Sequence, residues 1–509
     1  MIHVVTPEQM QEIDSVSIGG DVSTGFEYMK EAAGRIFSAV HSYCIRHTIR
    51  RITVFCGTGN NGGDGFYLAY LLRQSGYEAL PVCLVSRAQL KGEAGRAHDA
   101  YTYSYGDIPC VSSMDDLAAL PQPQLCIEAL LGTGIRGEPR GMAAHCIAHM
   151  NAQAIPVIAV DNPAGVDALT GNAAHNALKA IATVTLGYPK IGQLFADPVQ
   201  IGDLIGGKLS YDTGVADSCG DDIFQLEDSD VARLLPRRKF FGSKYDHGTL
   251  LAFTGSRGMT GAAALAAEAS LRTGCGMVYC AVPRGSVDTL AIKTTEAVLL
   301  GVDETEEGSI RNADIPDGVW KKAQALLVGC GLSPNTITGS FVRATLQETN
   351  QPCVLDGDGL RAFSGHKNEL QSRENLIITP HYGEYKALFG TLPSRANERI
   401  AALRKTAQDY GITIVFKGMP TIVALPSGRI VLSRYGNTGL ATGGTGDVLA
   451  GIIASLLAQG ASCENASCAG VCLHGKAAEL HGAEESDYSL IASDLPRRLG
   501  RAFTWFFHT

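Results

Sequence analysis

Short β-rich apolar runs alternate with longer stretches of helical periodicity along the chain, and glycine or polar residues mark nearly every change between the two. Thr6-Pro7-Glu8-Gln9 places a hydroxyl at an N-cap, proline at the first helical position and glutamine at the third, so the chain is predicted to open with a capped helix. Residues 51–56 then read as a strand that ends in a glycine loop and leads into a helix to Leu72. Further strands are predicted at 81–85, 125–128, 156–160 and 182–186. Strands separated by helical stretches predict a parallel, doubly wound α/β sheet.

A second βα series covers 249–253, 277–282, 325–328, 353–355, 376–378 and 412–416. It closes with a predicted hairpin, 421–425 and 429–433, joined by Pro426-Ser427-Gly428. The polar run from Asp217 to Asp222 is the linker candidate. It divides the chain into an N-terminal domain, 1–217, and a C-terminal domain, 226–509, in agreement with a prior of roughly 150 residues per domain that makes 509 residues too many for one core. No short-period repeat or low-complexity tract interrupts the pattern.

Composition narrows the function classes. Hydrophobic residues make up 45% and charged residues 18%, with a mean hydropathy of +0.06, as in globular proteins with large buried sheets. A net charge of -9 and a pI near 5.8 provide no general field for nucleic acid or an anionic membrane. Anionic ligands must then be held by local glycine loops and individual lysines. The longest apolar run, 448–458, is far short of a membrane span, and the start of the sequence has no basic segment followed by an apolar one, so a cytoplasmic location is expected. The 14 cysteines are scattered without a C-x-x-C pair and are expected to be reduced, largely buried thiols.

The most informative stretch is Ala441-Thr442-Gly443-Gly444-Thr445-Gly446-Asp447, directly before that apolar run. Its glycines let a backbone approach a ligand closely, and the free N–H groups of a first helical turn hold an anion. Asp447 stands where that anion hole opens. A carboxylate there can take the proton of a substrate hydroxyl as the oxygen attacks phosphorus.

Four further segments end strands with glycine or polar residues, where open α/β sheets bind ligands: Gly255 to Ala262, Gly329-Cys330-Gly331-Leu332, Thr379-Pro380-His381-Tyr382-Gly383-Glu384, and Lys417 to Thr421. Together with GGTGD they resemble the ADP-dependent NAD(P)H-hydrate dehydratase domain of the bifunctional NAD(P)H-hydrate repair enzymes, within the ribokinase-like superfamily. The resemblance implies a ribokinase-like α/β fold. It also implies that Lys417, Gly418, Met419, Pro420, Thr421 and Gly446 line the ADP site, that Ala262, Gly331, His381 and Asp447 face the hydrated nicotinamide nucleotide, and that Mg2+ accompanies the nucleotide. Two departures stand out: Cys330 occupies a position where proline is usual, and Asp356-Gly357-Asp358-Gly359 replaces a common DADA run. His381 is also readable as the cap of the next helix, Lys417 as a solvated strand-end lysine, and Asp356 and Asp358 as loop stabilisers.

In the first half, the loop Gly57 to Gly65, the segment Glu128 to Glu138, the run Val160 to Asp167 and Tyr188-Pro189-Lys190 resemble the Rossmann-like NAD(P)H-hydrate epimerase domain of the same family. Carried over by resemblance, Asn60, Asn61, Gly62, Gly63 and Asp64 contact the substrate, as do Gly132, Thr133, Gly134, Ile135, Arg136, Gly137 and Glu138. Asp161 contacts it as the acid/base candidate, while Lys190 is readable as catalytic or structural. Asn61 and the positions of Glu128 and Ala164 bind potassium, although the family usually has Asp and Ser at the last two.

The function implied is repair of hydrated NADH and NADPH: exchange of R and S hydrates, then dehydration of the S form with ADP to give NAD(P)H, AMP and phosphate. Small dinucleotides are the expected partners, with neither nucleic acid nor membrane, and the protein is expected to be a homo-oligomer. Two other classes stay open on the residues alone. One is a ribokinase-like small-molecule kinase, recognisable by a stable phosphorylated product, fused to a non-catalytic nucleotide-binding domain. The other is a nucleotide sensor, which would not interconvert the hydrates.

Overall fold

The computed structural model describes residues 1–134 and 137–508, so Ile135 and Arg136 of the expected substrate loop lie outside the described residues. The chain divides into two compact units, one of His3–Asp221 with Ser394–Asn397, the other of Met1–Ile2, Asp222–Pro393 and Glu398–Thr509. A two-residue strand β1 (Ile2–His3) is followed by the helix Pro7–Ile18. That helix starts with the expected capping box: Gln9 N–H donates to Thr6 Oγ1 at 3.1 Å and Thr6 N–H to Gln9 Oε1 at 2.8 Å.

The N-terminal unit is built on β2 (Arg51–Cys56), β3 (Glu78–Cys83), β4 (Leu125–Ala129), β5 (Val157–Val160), β6 (Ala182–Leu186) and β7 (Asp203–Gly207). They form a parallel sheet in the order β3-β2-β4-β5-β6-β7. Alternate residues pack on opposite faces. Ile52, Val54, Ile127, Ile158 and Val184 join one core with the helices Val22–His47 and Asn60–Gln74, while Phe55, Cys126, Val157 and Ala159 join another with Gly141–Ala152. Burial on both faces explains why these strands read as unbroken apolar runs. The sheet runs outward in both directions from β2 and β4, so a crevice is expected beyond their carboxyl ends.

The C-terminal unit contains β8 (Ile223–Gln225), β9 (Thr249–Phe253), β10 (Met277–Pro283), β11 (Val298–Glu304), β12 (Ile310–Asn312), β13 (Ala325–Val328), β14 (Cys353–Leu355), β15 (Leu376–Ile378), β16 (Thr413–Phe416), β17 (Thr421–Ala424) and β18 (Ile430–Ser433). With β1 they form a twelve-stranded sheet ordered β1-β8-β18-β17-β16-β15-β14-β13-β9-β10-β11-β12. Its centre, from β16 to β10, is parallel, and the expected hairpin is the antiparallel pair β17–β18. The order in which the strands are added across the sheet reverses between β9 and β13, which are themselves parallel.

One face carries the helices Thr260–Arg272, Thr445–Ala458, Cys463–Glu484 and Asp494–His508 in a single apolar core. Ser270 Oγ donates to the Gly451 carbonyl at 3.0 Å, and Ser455 Oγ to the Ser270 carbonyl at 2.7 Å, locking the alanine-rich helix against the helix that follows GGTGD.

Sequence and structure differ at the edges. β3 begins before Pro81 and includes it, which is possible because β3 is an edge strand and the missing N–H faces no partner. β7, β8, β11 and β12 escaped the apolar-run criterion. β7 is a mostly exposed Asp-Leu-Ile-Gly-Gly edge strand, β8 and β12 have three residues each, and β11 fully buries only Val302. Asp217 to Cys219 of the linker candidate end a helix, Thr213–Cys219.

Candidate active sites

In the C-terminal unit the expected residues converge at the carboxyl ends of the central strands. The helix Thr445–Ala458 begins at Gly444, whose φ of 93° is the left-handed conformation that glycine adopts without strain. No side chain caps this terminus, which leaves the amides of Gly446 and Asp447 to a ligand. Two neighbours fix the loop. Thr445 Oγ1 donates to the carbonyls of Leu440 and Thr442, each at 2.9 Å, and His474 Nε2 lies 3.0 Å from the Thr445 carbonyl. Burial pushes the His474 imidazole down to about 4, so at neutral pH it is an uncharged strut.

Lys417, just beyond β16, reaches back over this terminus. A Cβ on Gly446 would stand 3.3 Å from Lys417 Nζ, which places the ammonium beside the anion hole. The same Nζ lies 2.8 Å from Asp356 Oδ1 and 3.6 Å from Glu384 Oε2. Burial lowers the affinity of Lys417 for its proton, but the charges of Asp356 and Glu384 outweigh it and the net shift is upward. Lys417 is therefore an anchored cation.

Asp447 occupies the third position of the helix, half-buried, and its carboxyl is pushed up to about 6 by burial and then by the Asp356 charge. The Cys330 thiol and Lys417 act in the opposite direction. A carboxylate with this affinity is matched to accepting a proton near neutral pH. Donor atoms of Cys330, Asp356 and Asp447 lie within 4.8 Å of one another, the group among the described residues whose composition admits a metal. Its bonding argues against a hard-cation cage. Asp356 Oδ1 already accepts from Thr379 Oγ1 at 2.6 Å and from Lys417, and the third member is a buried thiol.

Gly331 and Ala262 meet directly, since a Cβ on Gly331 would lie 2.8 Å from that of Ala262. His381 caps the helix Tyr382–Phe389: its Nδ1 accepts from Gly383 N–H at 2.9 Å and Glu384 N–H at 3.3 Å, and Glu384 returns a bond to His381 N–H. The ring stays half-exposed, with Nε2 3.5 Å from Glu384 Oε1. Asp358 stabilises its loop, accepting from Ser333 N–H at 2.8 Å. Gly418 and Met419 lie exposed in the turn between β16 and β17, while Thr421 Oγ1 donates to the Gly418 carbonyl and Pro420 is buried.

In the N-terminal unit a cavity of about 430 Å³ opens at the carboxyl ends of β2 and β4, lined among others by Asn60, Asn61, Asp64, Gly132, Thr133, Gly134 and Asp161. Gly62, Gly63, Gly137 and Glu138 do not line it. Gly62 is required for packing, because a Cβ there would strike the Gly57 backbone, and Glu138 accepts from His175 N–H at 3.2 Å.

Asp161 has a φ of 61°, a left-handed conformation that is uncommon outside glycine and that clusters at functional sites. Asp161 Oδ1 accepts from Lys190 Nζ at 2.5 Å and from Leu186 N–H at 3.1 Å. Lys190 is almost wholly buried and also bonds Thr185 Oγ1 and the Leu186 carbonyl. Sequence reasoning missed two further groups. Tyr211 O–H donates to Asp14 Oδ1 at 2.5 Å, and both residues line the cavity. Asp14 sits one turn beyond buried Met10 and beside buried Ile13, and an acid on that apolar face was the available signal. Burial, then the charges of Asp161 and Asp14, holds the Asp64 carboxyl well above the usual carboxylate range, and burial also raises Asp14. The cavity thus holds carboxyl groups whose proton affinity burial raises near one paired to a lysine, the division of labour that acid–base chemistry uses.

Glu128 lies fully buried at the end of β4 and does not line that cavity. Its Oε1 accepts from Leu130 N–H at 2.7 Å and Leu131 N–H at 3.4 Å, and its Oε2 from Ala164 N–H at 3.1 Å. Ala164 therefore turns a hydrogen toward this carboxylate and has no side-chain oxygen. Asn61 Oδ1 is buried without a partner, while its amide donates to the Leu131 carbonyl at 3.1 Å. Three main-chain N–H groups on the carboxylate, against one free amide oxygen, are a donor set poorly suited to a hard cation. Cys468, Cys472 and His474 form no ligand set; 11 of the 14 cysteines are buried, and all are free thiols.

Comparison with known proteins agrees with both halves. Residues 250–500 match the family model described as NAD(P)H-hydrate dehydratase, and 26–192 match that of the YjeF-related protein N-terminus. The bifunctional NAD(P)H-hydrate repair enzyme of Moorella thermoacetica is 32% identical over 508 residues, covering 97% of this chain and 95% of the relative. The enzyme of the same description from Escherichia coli is 31% identical over 459 residues, covering 89% of this chain and 85% of its own. Among solved structures, the ADP/ATP-dependent NAD(P)H-hydrate dehydratase of Bacillus subtilis, co-crystallised with ATP and Mg2+, is 28% identical with a TM-score of 0.46, over 56% of this chain and 99% of that one. A GGTGD helix start facing Lys417, an Asp161–Lys190 cavity at a second sheet, and relatives that span both together lead to one conclusion: this chain belongs to the family of bifunctional NAD(P)H-hydrate repair enzymes.

Proposed function

We propose that the N-terminal unit interconverts the R and S hydrates of NADH and NADPH and that the C-terminal unit dehydrates the S form at the expense of a nucleoside diphosphate. The observation that carries this reading is the pairing of Asp447 with an uncapped helix terminus and the Lys417 ammonium, in a chain whose relatives match it over nearly its whole length. The hydrate bears a hydroxyl on C6 of its reduced ring, and hydroxide is a poor leaving group, its conjugate acid having a pKa of about 15.7. Converting that hydroxyl to a phosphate ester removes the obstacle.

Asp447 accepts the C6 hydroxyl proton as the oxygen attacks the terminal phosphorus of ADP and AMP departs. The Gly446 and Asp447 amides and Lys417 stabilise the charge on the transferring group. The ring nitrogen lone pair then expels phosphate, and loss of a proton from the neighbouring ring carbon restores NADH or NADPH. Lys417 to Thr421 and Gly446 are the proposed nucleotide contacts, and Ala262, Gly331 and the half-exposed His381 ring the proposed hydrate contacts. Mg2+, when bound, would neutralise phosphate charge; the Cys330–Asp356–Asp447 cluster does not suit it, so it would reach the site on the nucleotide.

In the epimerase half, Asp161 is the proposed base at the hydroxyl-bearing carbon and Asp64, whose burial favours the protonated form, the proposed proton donor within the same cavity. Asn60, Asn61 and the Gly132–Gly134 segment are the proposed dinucleotide contacts. No step requires potassium. ADP rather than ATP as donor, the division into 1–217 and 226–509, and a homo-oligomeric state belong to this same reading. A kinase fused to a non-catalytic domain is not favoured, because the full-length relatives join both repair modules. Incubation with S hydrate and ADP tests the proposal: appearance of reduced nicotinamide together with AMP and phosphate supports it, and a stable phosphorylated product refutes it.

A further inference from the structure

The cavity of the N-terminal unit carries an aromatic wall that the steps above leave unused. Among the described residues that line it, the aromatic ones are Tyr28, on the helix Val22–His47, and Tyr211, in the segment after β7. Their ring centroids lie 5.1 Å apart with 31° between the planes, and the ring of buried Tyr188 lies 6.4 Å from that of Tyr211 at 26°. Tyr211 is also pinned at its polar end, where its hydroxyl donates to Asp14 Oδ1 at 2.5 Å. Burial, then the Asp14 charge, holds the phenol well above its ordinary range, so it remains a donor to Asp14. Neighbouring rings and one hydrogen bond thus fix the Tyr211 ring before any ligand arrives. Two contacts place this wall next to the chemistry. A Cβ on Gly187 would stand 3.0 Å from Tyr211 Cε2, so the hydroxyl-bearing edge of the ring packs on the Gly187 backbone. The adjoining residue, Leu186, gives its N–H to Asp161 and its carbonyl to Lys190. The groups suited to phosphate come from other elements: the helix Asn60–Gln74 starts at Gly59 with no side-chain cap, and the Gly132–Gly134 segment follows β4.

We propose that Tyr28 and Tyr211 form the wall against which the hydrated nicotinamide ring packs, so that its C6 is presented to Asp161 while the pyrophosphate lies at the glycine segments. The chemistry of the two surfaces matches. The hydrated ring is uncharged and largely apolar, and aromatic side chains bury such a surface with little entropy to lose. Because the Tyr211 ring is held in advance by Asp14 and its neighbours, binding does not have to order it. The adenine end of the dinucleotide has no claim on this wall, since the reacting carbon must come to the Asp161–Lys190 pair beside it.

This inference rests on the reading of the cavity as the epimerase site, and the test separates the two. Exchange of R and S hydrates by the full-length protein is followed by chromatography without ADP, so that the dehydratase does not turn over. NADH and ADP-ribose, which differ in the nicotinamide ring, are titrated as inhibitors of that exchange. Tyr28→Leu and Tyr211→Leu are each expected to raise the inhibition constant of NADH about threefold to tenfold, the size of one aromatic contact. The constant for ADP-ribose should stay at its wild-type value, which also attests that each variant is folded. Tyr211→Phe keeps the ring and loses the bond to Asp14, and it is expected to retain the wild-type ratio of the two constants. Equal rises for both ligands, a wild type that binds NADH no more tightly than ADP-ribose, or a ratio lost as fully in Tyr211→Phe as in Tyr211→Leu overturns the proposal for the wall alone. A wild type that does not exchange the hydrates overturns the epimerase reading and this inference with it.

Discussion

Asp161 and Lys190 form an ion pair with unequal halves, and the inequality makes the two partners unequally costly to remove. The Lys190 side chain is 1% exposed and that of Asp161 16%. Asp161→Asn leaves the ammonium with neutral acceptors, chiefly Thr185 Oγ1 at 3.2 Å and the Leu186 carbonyl at 2.8 Å. Orphaning a buried charge in this way costs about 3–5 kcal/mol. Lys190→Met removes the more deeply buried charge and fills its path with apolar atoms. The carboxylate left behind retains Leu186 N–H at 3.1 Å and its opening to the cavity, so the expected cost is nearer 1–2 kcal/mol, that of a lost charged hydrogen bond. The double variant should recover about 2 kcal/mol relative to Asp161→Asn, because the orphaned charge is gone. Hydrogen exchange measured by mass spectrometry on the full chain isolates the effect in peptides covering β5 and β6. At about 1.4 kcal/mol per tenfold, protection should fall by about a hundredfold or more in Asp161→Asn and by about tenfold in Lys190→Met. Equal losses in the two single variants, or strict additivity in the double, would refute the reasoning.

Asp447→Asn is expected to slow NADH formation by at least a hundredfold, within the usual range for a general base, while epimer exchange stays intact; a loss under about tenfold, or 1.4 kcal/mol of barrier, would remove Asp447 from the mechanism. For the wild-type dehydratase the ionised form of Asp447 is the active one, and its carboxyl is held at about 6. The kcat/KM profile should therefore rise with pH through about 6 and fall away below it, and a limb at the ordinary carboxylate position would contradict this. Because the Glu128 oxygens are occupied by main-chain N–H groups and Ala164 supplies no hydroxyl, epimer exchange should respond little to replacing potassium with sodium at constant ionic strength. Saturable, strongly potassium-selective activation of the unaltered chain would show that reading to be wrong, and Glu128→Asp with Ala164→Ser is expected to create a response.

Much of the fold was legible because its determinants are local. The Thr6–Gln9 box, the β17–β18 hairpin and the doubly buried strands announce themselves in neighbouring residues, and the glycine loops fall at strand ends as open α/β sheets require. Peripheral strands such as β7 and β11 did not, since they bury little and lack an apolar run. The site was legible where one segment carries both scaffold and chemistry, as in GGTGD. It was obscure where partners come from distant segments: Tyr211 and Asp14 are 197 positions apart, and the anchoring of Lys417 by Asp356 spans 61. His381 and Gly62 teach a related lesson. Both sit in motif positions read as ligand contacts, and both also serve local structure, one as a helix cap and the other as the residue small enough to pack against Gly57.

The central claim, two complementary activities in one chain, is tested most directly by the early time course of the full-length protein with an equal mixture of R and S hydrates and ADP. Reduced nicotinamide is monitored by absorbance and AMP by chromatography, against the slow spontaneous exchange of the hydrates. Conversion is predicted to run past half of the mixture without a break, with one AMP and one phosphate released per NADH formed. A halt at half, with the R hydrate left over, would contradict the epimerase assignment, and AMP release with accumulation of a phosphorylated hydrate instead of NADH would contradict the dehydratase.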